Sequence, residues 1–213
     1  VYINVLAADD CNPEICGKLM GCNVLEKNYG TTQIDTLSII DNGNEVIINT
    51  NDCPYGIAKN TLKRIKSIYP KIDFALIGYT SASLYPHCMM DYTDKEMQPG
   101  LEKAKSSGLM TGLNTLKTLT PKYYMPFAGT YILGGANYKK NKYLPIPEIQ
   151  DAVSFFQNEI TKNSIELSPV LLNFGESFDL ETESATAPYL PVDTNARAEY
   201  IENVARKFSH TYE

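Results

Sequence analysis

Two apolar segments separated by a tight turn constrain the fold of this sequence more than any other feature. The first segment is QIDTLSIID, at residues 33–41, and the second is NEVIINT, at residues 44–50. The residues DNGN at 41–44 favour the turn that joins two antiparallel strands. The sequence therefore predicts a β-hairpin over residues 33–50.

Further strand and helix patterns alternate along the rest of the chain. A short helix at 12–22 and a helix at 93–119 that is broken near Pro99 are both predicted from apolar spacing and Pro/Gly signals. The other predicted strands cover 1–7, 72–78, 122–129 and 164–175, the other helices cover 57–69, 146–160 and 193–210, and a surface loop covers 175–195. This alternation predicts an α/β fold, with helices packed on the faces of a mixed sheet.

Chain length and composition set limits on organisation and partners. The 213 residues suffice for a single domain or one lobe of a larger one, with residues 181–213 as a C-terminal loop and helix. A net charge of −6 makes nucleic acid an unexpected partner, and no apolar run reaches the roughly 18 residues that span a membrane.

Five cysteines without a glycosylation sequon indicate a reducing cytoplasm. The opening VYINVLAADD lacks Met and starts inside a strand pattern, so we expect an upstream segment.

Polar residues cluster where the strand at residues 46–48 ends. The strand runs into Asn49-Thr50-Asn51-Asp52-Cys53, and Pro54 closes the cluster. Asn and Asp often form such turns by bonding their own backbone. An acid at the end of a buried strand can equally be a metal ligand, since sites in α/β folds lie at this edge of the sheet. Both interpretations are open from these residues alone.

Histidine is scarce, which limits the chemistry of the chain. His87 is the better placed of two histidines, in the segment SASLYPHCMMDY that follows a predicted strand. A histidine-rich zinc centre cannot be built from this chain alone. Cys53 or Cys88 could pair with His87 for nucleophilic catalysis. Cys88 is the poorer partner, because neighbouring residues of an extended segment point to opposite faces. A hydrogen-bonding or packing role for His87 is the alternative.

Four motifs in order resemble the carboxy-terminal half of a metallo-β-lactamase-fold protein. They are QIDTLSIIDNGNEVIINTNDC, KIDFALIGYTSASLYPHCMMDY, PKYYMPFAGTYILGG and LLNFGESFDL, within about residues 1–180. The branch they resemble contains CMP-N-acetylneuraminic acid hydroxylase and bacterial relatives found among surface-polysaccharide genes. The resemblance implies an αββα sandwich, in which two sheets pack face to face with helices outside.

The resemblance also implies a metal site that this chain completes only in part. Asp52 falls on the position of the family's metal-bridging carboxylate. The family's His-x-His-x-Asp-His motif would lie before residue 1, and Thr31 and Gly135 stand where two further histidine ligands are expected. Neither residue replaces an imidazole as a metal ligand.

Two functions follow from this resemblance. In the first, the protein is a metal-dependent hydrolase that uses zinc, iron or manganese to attack a phosphoester, an amide or a nucleotide-sugar-like substrate such as a glycan precursor. Asp9, Asp10, His87 and Tyr131 would then shape the substrate pocket. In the second, the fold is a catalytically degenerate binding or assembly module without a metal. Either form would work with an upstream lobe of the same protein or as a homo-oligomer.

Overall fold

A mixed six-stranded sheet forms the centre of the protein in the computed structural model, which describes residues 1–9, 35–80, 85–89 and 91–208. The strands follow the chain order across the sheet, from β1 at one edge to β6 at the other. Their bounds are β1 (Tyr2–Ala7), β2 (Thr36–Asp41), β3 (Val46–Asn49), β4 (Phe74–Ile77), β5 (Tyr123–Pro126) and β6 (Ser168–Pro169). Two further short strands, β7 (Phe178–Asp179) and β8 (Ser184–Ala185), form a separate hairpin.

The predicted hairpin at the start of the sheet is confirmed. β2 pairs with β3 antiparallel, and β1 pairs with β2 in the same sense. The connecting turn is closed by side chains: Gly43 N–H donates to Asp41 Oδ1 at 2.7 Å, and Glu45 N–H donates to Asn42 Oδ1 at 2.7 Å. Gly43 has a φ of 90°, a conformation that glycine adopts without strain. From β3 onward the pairings are parallel, through β4 and β5 to β6.

Helices connect the parallel strands, as a parallel sheet requires. Their bounds are α1 (Tyr55–Ile68), α2 (Asp94–Leu119), α3 (Ile149–Thr161) and α4 (Thr194–Phe208), and a 3-10 helix covers Gly135–Tyr143. The strands and helices together confirm the predicted α/β class. In the described part of the chain, no helix combines the length and the apolar character needed to cross a membrane.

One face of the sheet is closed by these helices. Ile39, Ile48, Ala75 and Tyr124 lie side by side in one row across β2 to β5, and each is at most 1% exposed. They share a single apolar cluster with helix side chains from α1, α2 and α3, namely Leu62, Ile65, Leu113, Leu116 and Phe156. The core of the protein therefore lies between this face and the helices.

The opposite face of the sheet is apolar and partly uncovered. A second row runs Ile3, Ile40, Ile47, Phe74 and Tyr123 across β1 to β5. Ile3 is 67% exposed and Ile40 is 37% exposed, whereas Phe74 is buried. Within the described residues, cover on this face thus increases from β1 towards β4.

The β7–β8 hairpin supplies that cover. The Phe178 ring lies 6.0 Å from the Phe74 ring and 5.0 Å from the Tyr123 ring, measured between centroids. Glu183 fastens the hairpin to the start of β5, because its carboxylate accepts from Tyr123 Oη at 2.7 Å and pairs with Lys122 Nζ. The sequence prediction of a surface loop over residues 175–195 did not include this hairpin.

Two other predictions of local structure are wrong. α2 continues through Pro99 without a break. A capping box of Thr93 and Glu96 fixes its first turn, and Gly100 fits against the Tyr85 ring, where a Cβ would come within 2.3 Å of Tyr85 Oη. The strand predicted over 164–175 is reduced to Ser168–Pro169 at the edge of the sheet, where the N–H groups of Ser168 and Val170 donate to Lys122 O and Tyr124 O. The helix predicted at 12–22 lies outside the described residues.

Candidate functional site

Several polar residues lie at the carboxyl ends of the parallel strands. β3, β4 and β5 run in the same direction, so the segments that follow them meet at one edge of the sheet. These segments are 50–53, 78–80 and 127–130. Ligands of open α/β sheets bind outside this edge. We therefore expect a ligand-binding or metal site at this edge.

Asp52 stands at this edge on a left-handed turn. Its φ is 59°, a conformation that Asp and Asn tolerate better than most residues. Cys53 N–H donates to Thr50 O at 3.1 Å and Asn51 N–H donates to Asn49 Oδ1 at 2.9 Å, which close the turn on both sides. The Asp52 side chain is exposed, and none of the described residues forms a hydrogen bond or an ion pair with it. Its carboxylate is thus presented outward.

Asp9 lies at the end of β1 and faces α1. Its carboxylate accepts from the N–H groups of Asn60 and Thr61, at 2.7 and 2.6 Å, and from Thr61 Oγ1 at 2.9 Å. Its own N–H donates to Ile57 O at 2.8 Å. The oxygens of Asp9 therefore fasten β1 to α1. Its predicted role in substrate binding stays a prediction, and Asp10 lies outside the described residues.

The structure brings His87 and Tyr131 together, as two residues predicted to shape one pocket. Their ring centroids are 6.2 Å apart. His87 is 1% exposed, and its buried Nδ1 finds no hydrogen-bond partner among the described residues. Burial lowers the pKa of His87, and the charge of Lys140 lowers it further. The imidazole is therefore neutral near pH 7 and keeps an acceptor nitrogen for a proton donor.

Cys53 lies next to Asp52 in sequence but belongs to the core. Its side chain is 1% exposed. Burial raises the pKa of the Cys53 thiol to about 12, with further increases from the negative charges of Asp35 and Asp9. A thiol of that pKa stays protonated near neutral pH, and only the thiolate is a good nucleophile. The arrangement disfavours Cys53 as a catalytic nucleophile.

The described residues supply one candidate ligand of a metal site but not a complete set of ligands. Asp52 offers the carboxylate oxygens that divalent metals accept. Within residues 1–9, 35–80, 85–89 and 91–208, no three His, Cys, Asp or Glu side chains converge closely enough to hold a metal ion. Any further ligands would have to come from outside this set.

Sequence reasoning did not single out the ion pair between Glu148 and Arg197. Arg197 Nη1 lies 2.8 Å from both carboxylate oxygens of Glu148, and both side chains are 27% exposed. Glu148 precedes α3 and Arg197 lies in the first turns of α4. Partners so far apart in sequence leave no local signal, because only the packing of α4 on the rest of the chain brings them together.

Comparison with known proteins gives one distant structural likeness. No protein-family model matches the chain, and no curated protein matches it. Among solved structures, the chain is similar to CmlA, a diiron beta-hydroxylase from Streptomyces venezuelae, with 11% sequence identity and a TM-score of 0.39. The match covers 80% of this chain and 31% of that protein. Because the TM-score is below 0.5, no residue role is transferred from it.

Proposed function

We propose that this chain is the carboxy-terminal lobe of a metal-dependent hydrolase of the metallo-β-lactamase fold. The observation that carries the proposal is the placement of Asp52. Its carboxylate is exposed at the carboxyl edge of the parallel strands, on a left-handed turn, in the motif that resembles the family's metal-bridging position. Zinc, iron or manganese bound there would supply a water whose pKa is lowered towards 7.

The described side chains would act on the substrate rather than complete the metal site. His87 and Tyr131, whose ring centroids lie 6.2 Å apart, would shape one wall of the substrate pocket. The remaining metal ligands would come from an upstream His-x-His-x-Asp-His segment. The uncovered sheet face would then receive a second sheet, from that upstream lobe or from a second copy of the chain.

The proposed substrate class is a phosphoester, an amide or a nucleotide-sugar-like glycan precursor, and the proposed location is the cytoplasm. The motif resemblance supports this substrate class. Its branch lies among polysaccharide-related proteins, and a metal-bound hydroxide attacks such electrophilic centres.

A catalytically degenerate binding module is the second candidate. The observation that favours it is the pair Thr31 and Gly135, which occupy positions where the family motif has histidines. Threonine and glycine provide no imidazole for zinc. In this case the fold would serve as a scaffold for binding or assembly.

A hydrolysis assay on the natively purified protein separates the two candidates. The substrates are bis(4-nitrophenyl) phosphate and a CMP-linked sugar, tested before and after chelation and after metal is restored. Asp52→Asn keeps a residue that tolerates the left-handed turn and removes the charge, so activity should fall at least about 100-fold. Asp91→Asn, at another exposed aspartate, is the matched control. Chelator-insensitive activity, or full activity of Asp52→Asn, would refute the hydrolase proposal.

A further inference from the structure

A cavity of about 340 Å³ lies between the 3-10 helix, the start of α3 and α4. Its volume falls at the lower end of the range for small-molecule sites, roughly 300–1,000 Å³. Its walls are mainly apolar and come from four separate segments of the chain. The apolar side chains that line it are Ile132, Leu144, Ile146, Ala198 and Ile201. Such walls would hold a compact apolar body.

One guanidinium group lines this cavity with unused donors. Both hydrogen bonds of Arg197 to Glu148 come from Nη1. No described residue accepts from Nε or Nη2 of Arg197, which leaves three N–H groups free to bind a ligand. Nε and Nη2 form the parallel fork that binds a carboxylate through two hydrogen bonds. Glu148 meanwhile fixes the orientation of the guanidinium.

Both acids that line the cavity are paired with arginines. Glu148 is neutralised by Arg197, and Glu202 is neutralised by Arg206, whose Nη2 lies 2.5 Å from Glu202 Oε1. Lys139 also lines the cavity, where its ammonium group lies 5.9 Å from the Tyr138 ring centroid. No acid of the described residues pairs with Lys139. The four charged lining residues sum to zero, and Arg206, which pairs with Glu202 from outside the lining, adds one positive charge nearby.

One lining residue of the cavity, Ile132, follows the segment 127–130 that leaves the carboxyl end of β5. Tyr79 follows β4 directly, and its hydroxyl lies 3.4 Å from Thr130 Oγ1, after β5. Burial raises the pKa of Tyr79, and its hydrogen bond with Thr130 lowers it; among the charges, Glu148 raises this pKa and Arg197 lowers it.

We propose that this cavity binds a small carboxylate with a compact apolar body, held at the carboxylate by Arg197 and in its apolar part by Ile132, Leu144 and Ile201. The site is independent of Asp52 and of the hydrolase proposal, since none of its lining residues belongs to the turn at residues 50–53. It would serve either an enzyme or a binding module.

The test is a ¹⁵N-resolved NMR titration of the whole chain with 3-phenylpropanoate and, separately, with its neutral analogue 3-phenylpropanamide. We expect saturable shifts of amides around 132, 144 and 197–201 with the carboxylate, and binding at least about tenfold weaker with the amide, because the charge-assisted hydrogen bonds are lost. Equal binding of the two compounds, or no saturable shift at about 10 mM carboxylate, would overturn the proposal.

Three variants locate the binding. Arg197→Lys keeps a cation beside Glu148 but removes the fork, so it should weaken carboxylate binding about tenfold while the folded spectrum is retained. Ala198→Phe fills the cavity without touching the ion pair and should abolish binding. Asn203→Phe adds the same ring to α4 away from the lining and should leave binding unchanged. Undiminished binding by Ala198→Phe would show that the carboxylate sits elsewhere.

Discussion

The two faces of the central sheet differ in how they are covered. On the helix face, Ile39 and Ile48 are at most 1% exposed and share a core with the three helices that pack there. On the other face, the row that begins with Ile3 and Ile40 carries equally apolar side chains. The β7–β8 hairpin packs on the far end of that row, through the contacts of Phe178 with Phe74 and Tyr123.

This difference shows that residue type alone does not fix burial. Apart from Ala75, both rows consist of β-branched or aromatic residues, which strands favour on either face. On the helix face, side chains distant in sequence bury the strand residues and stabilise them. On the opposite face, this burial decreases towards β1, and its contribution to stability decreases with it. Stability should follow this division, whereas pH dependence and thiol reactivity should follow the burial of individual side chains.

The largest difference should come from one substitution made on each face. Ile48→Ala removes buried methyl groups and leaves a cavity, so it should lower the free energy of unfolding by about 3 kcal/mol. Ile3→Ala changes a side chain that is 67% exposed and should cost less than about 1 kcal/mol. Urea denaturation followed by circular dichroism measures both. Equal losses would contradict the assignment of one covered and one uncovered face.

Removal of the partial cover should have a smaller effect. Phe178→Ala deletes the ring that packs on Phe74 and Tyr123, and we expect a loss of about 1.5 kcal/mol. Phe174→Ala is the matched control, because Phe174 is fully exposed nearby in the chain and should change stability by less than about 0.5 kcal/mol. A similar loss for both variants would mean that the hairpin does not stabilise the sheet.

The buried imidazole of His87 should make the free energy of unfolding depend on pH. We expect this effect to be similar to or smaller than the effect of Phe178→Ala. The pKa of His87 is lowered in the folded state, so between that value and about 6.5 the unfolded chain binds a proton that the folded chain does not. Stability should therefore fall as the pH drops below about 6.5. His87→Gln should flatten the dependence between about pH 7.5 and about pH 5.5, measured by urea midpoints. An unchanged slope would assign the dependence to other groups.

Thiol labelling should show the smallest effect, a difference in rate between two cysteines. Cys53 is buried and its thiol has a pKa of about 12, whereas Cys88 is half-buried. With iodoacetamide at about pH 8, Cys88 should be modified well before Cys53, as read by peptide mass mapping. Unfolding in urea should remove the difference. Faster labelling of Cys53 in the folded protein would contradict its place in the core.

The sequence predicted those parts of the fold that local chemistry determines. The DNGN turn made the hairpin predictable, because the side chains of Asp41 and Asn42 accept hydrogen bonds from the backbone of the turn itself. The helices at α1 and α3 followed from apolar spacing. The prediction failed at Pro99, where capping and packing outweigh a local break signal, and at the β7–β8 hairpin, whose position depends on the contacts of Phe178 with β4 and β5.

The candidate site was predictable only in part, for a similar reason. Asp52 could be found because it directly follows a strand, and His87 because histidines are so few. The fastening of Asp9 to α1 and the pairing of Glu148 with Arg197 join segments far apart in the chain. Contacts of this kind arise from tertiary packing, which a single sequence does not specify.

The most direct test of the central claim is the metal content of the natively purified protein, measured by elemental analysis beside intact mass for the wild type, Asp52→Asn and Asp91→Asn. If Asp52 is a metal ligand, the wild type and Asp91→Asn should carry stoichiometric zinc, iron or manganese, and Asp52→Asn should lose most of it. Equal metal content in Asp52→Asn and the wild type, or no metal in any of the three, would contradict the claim.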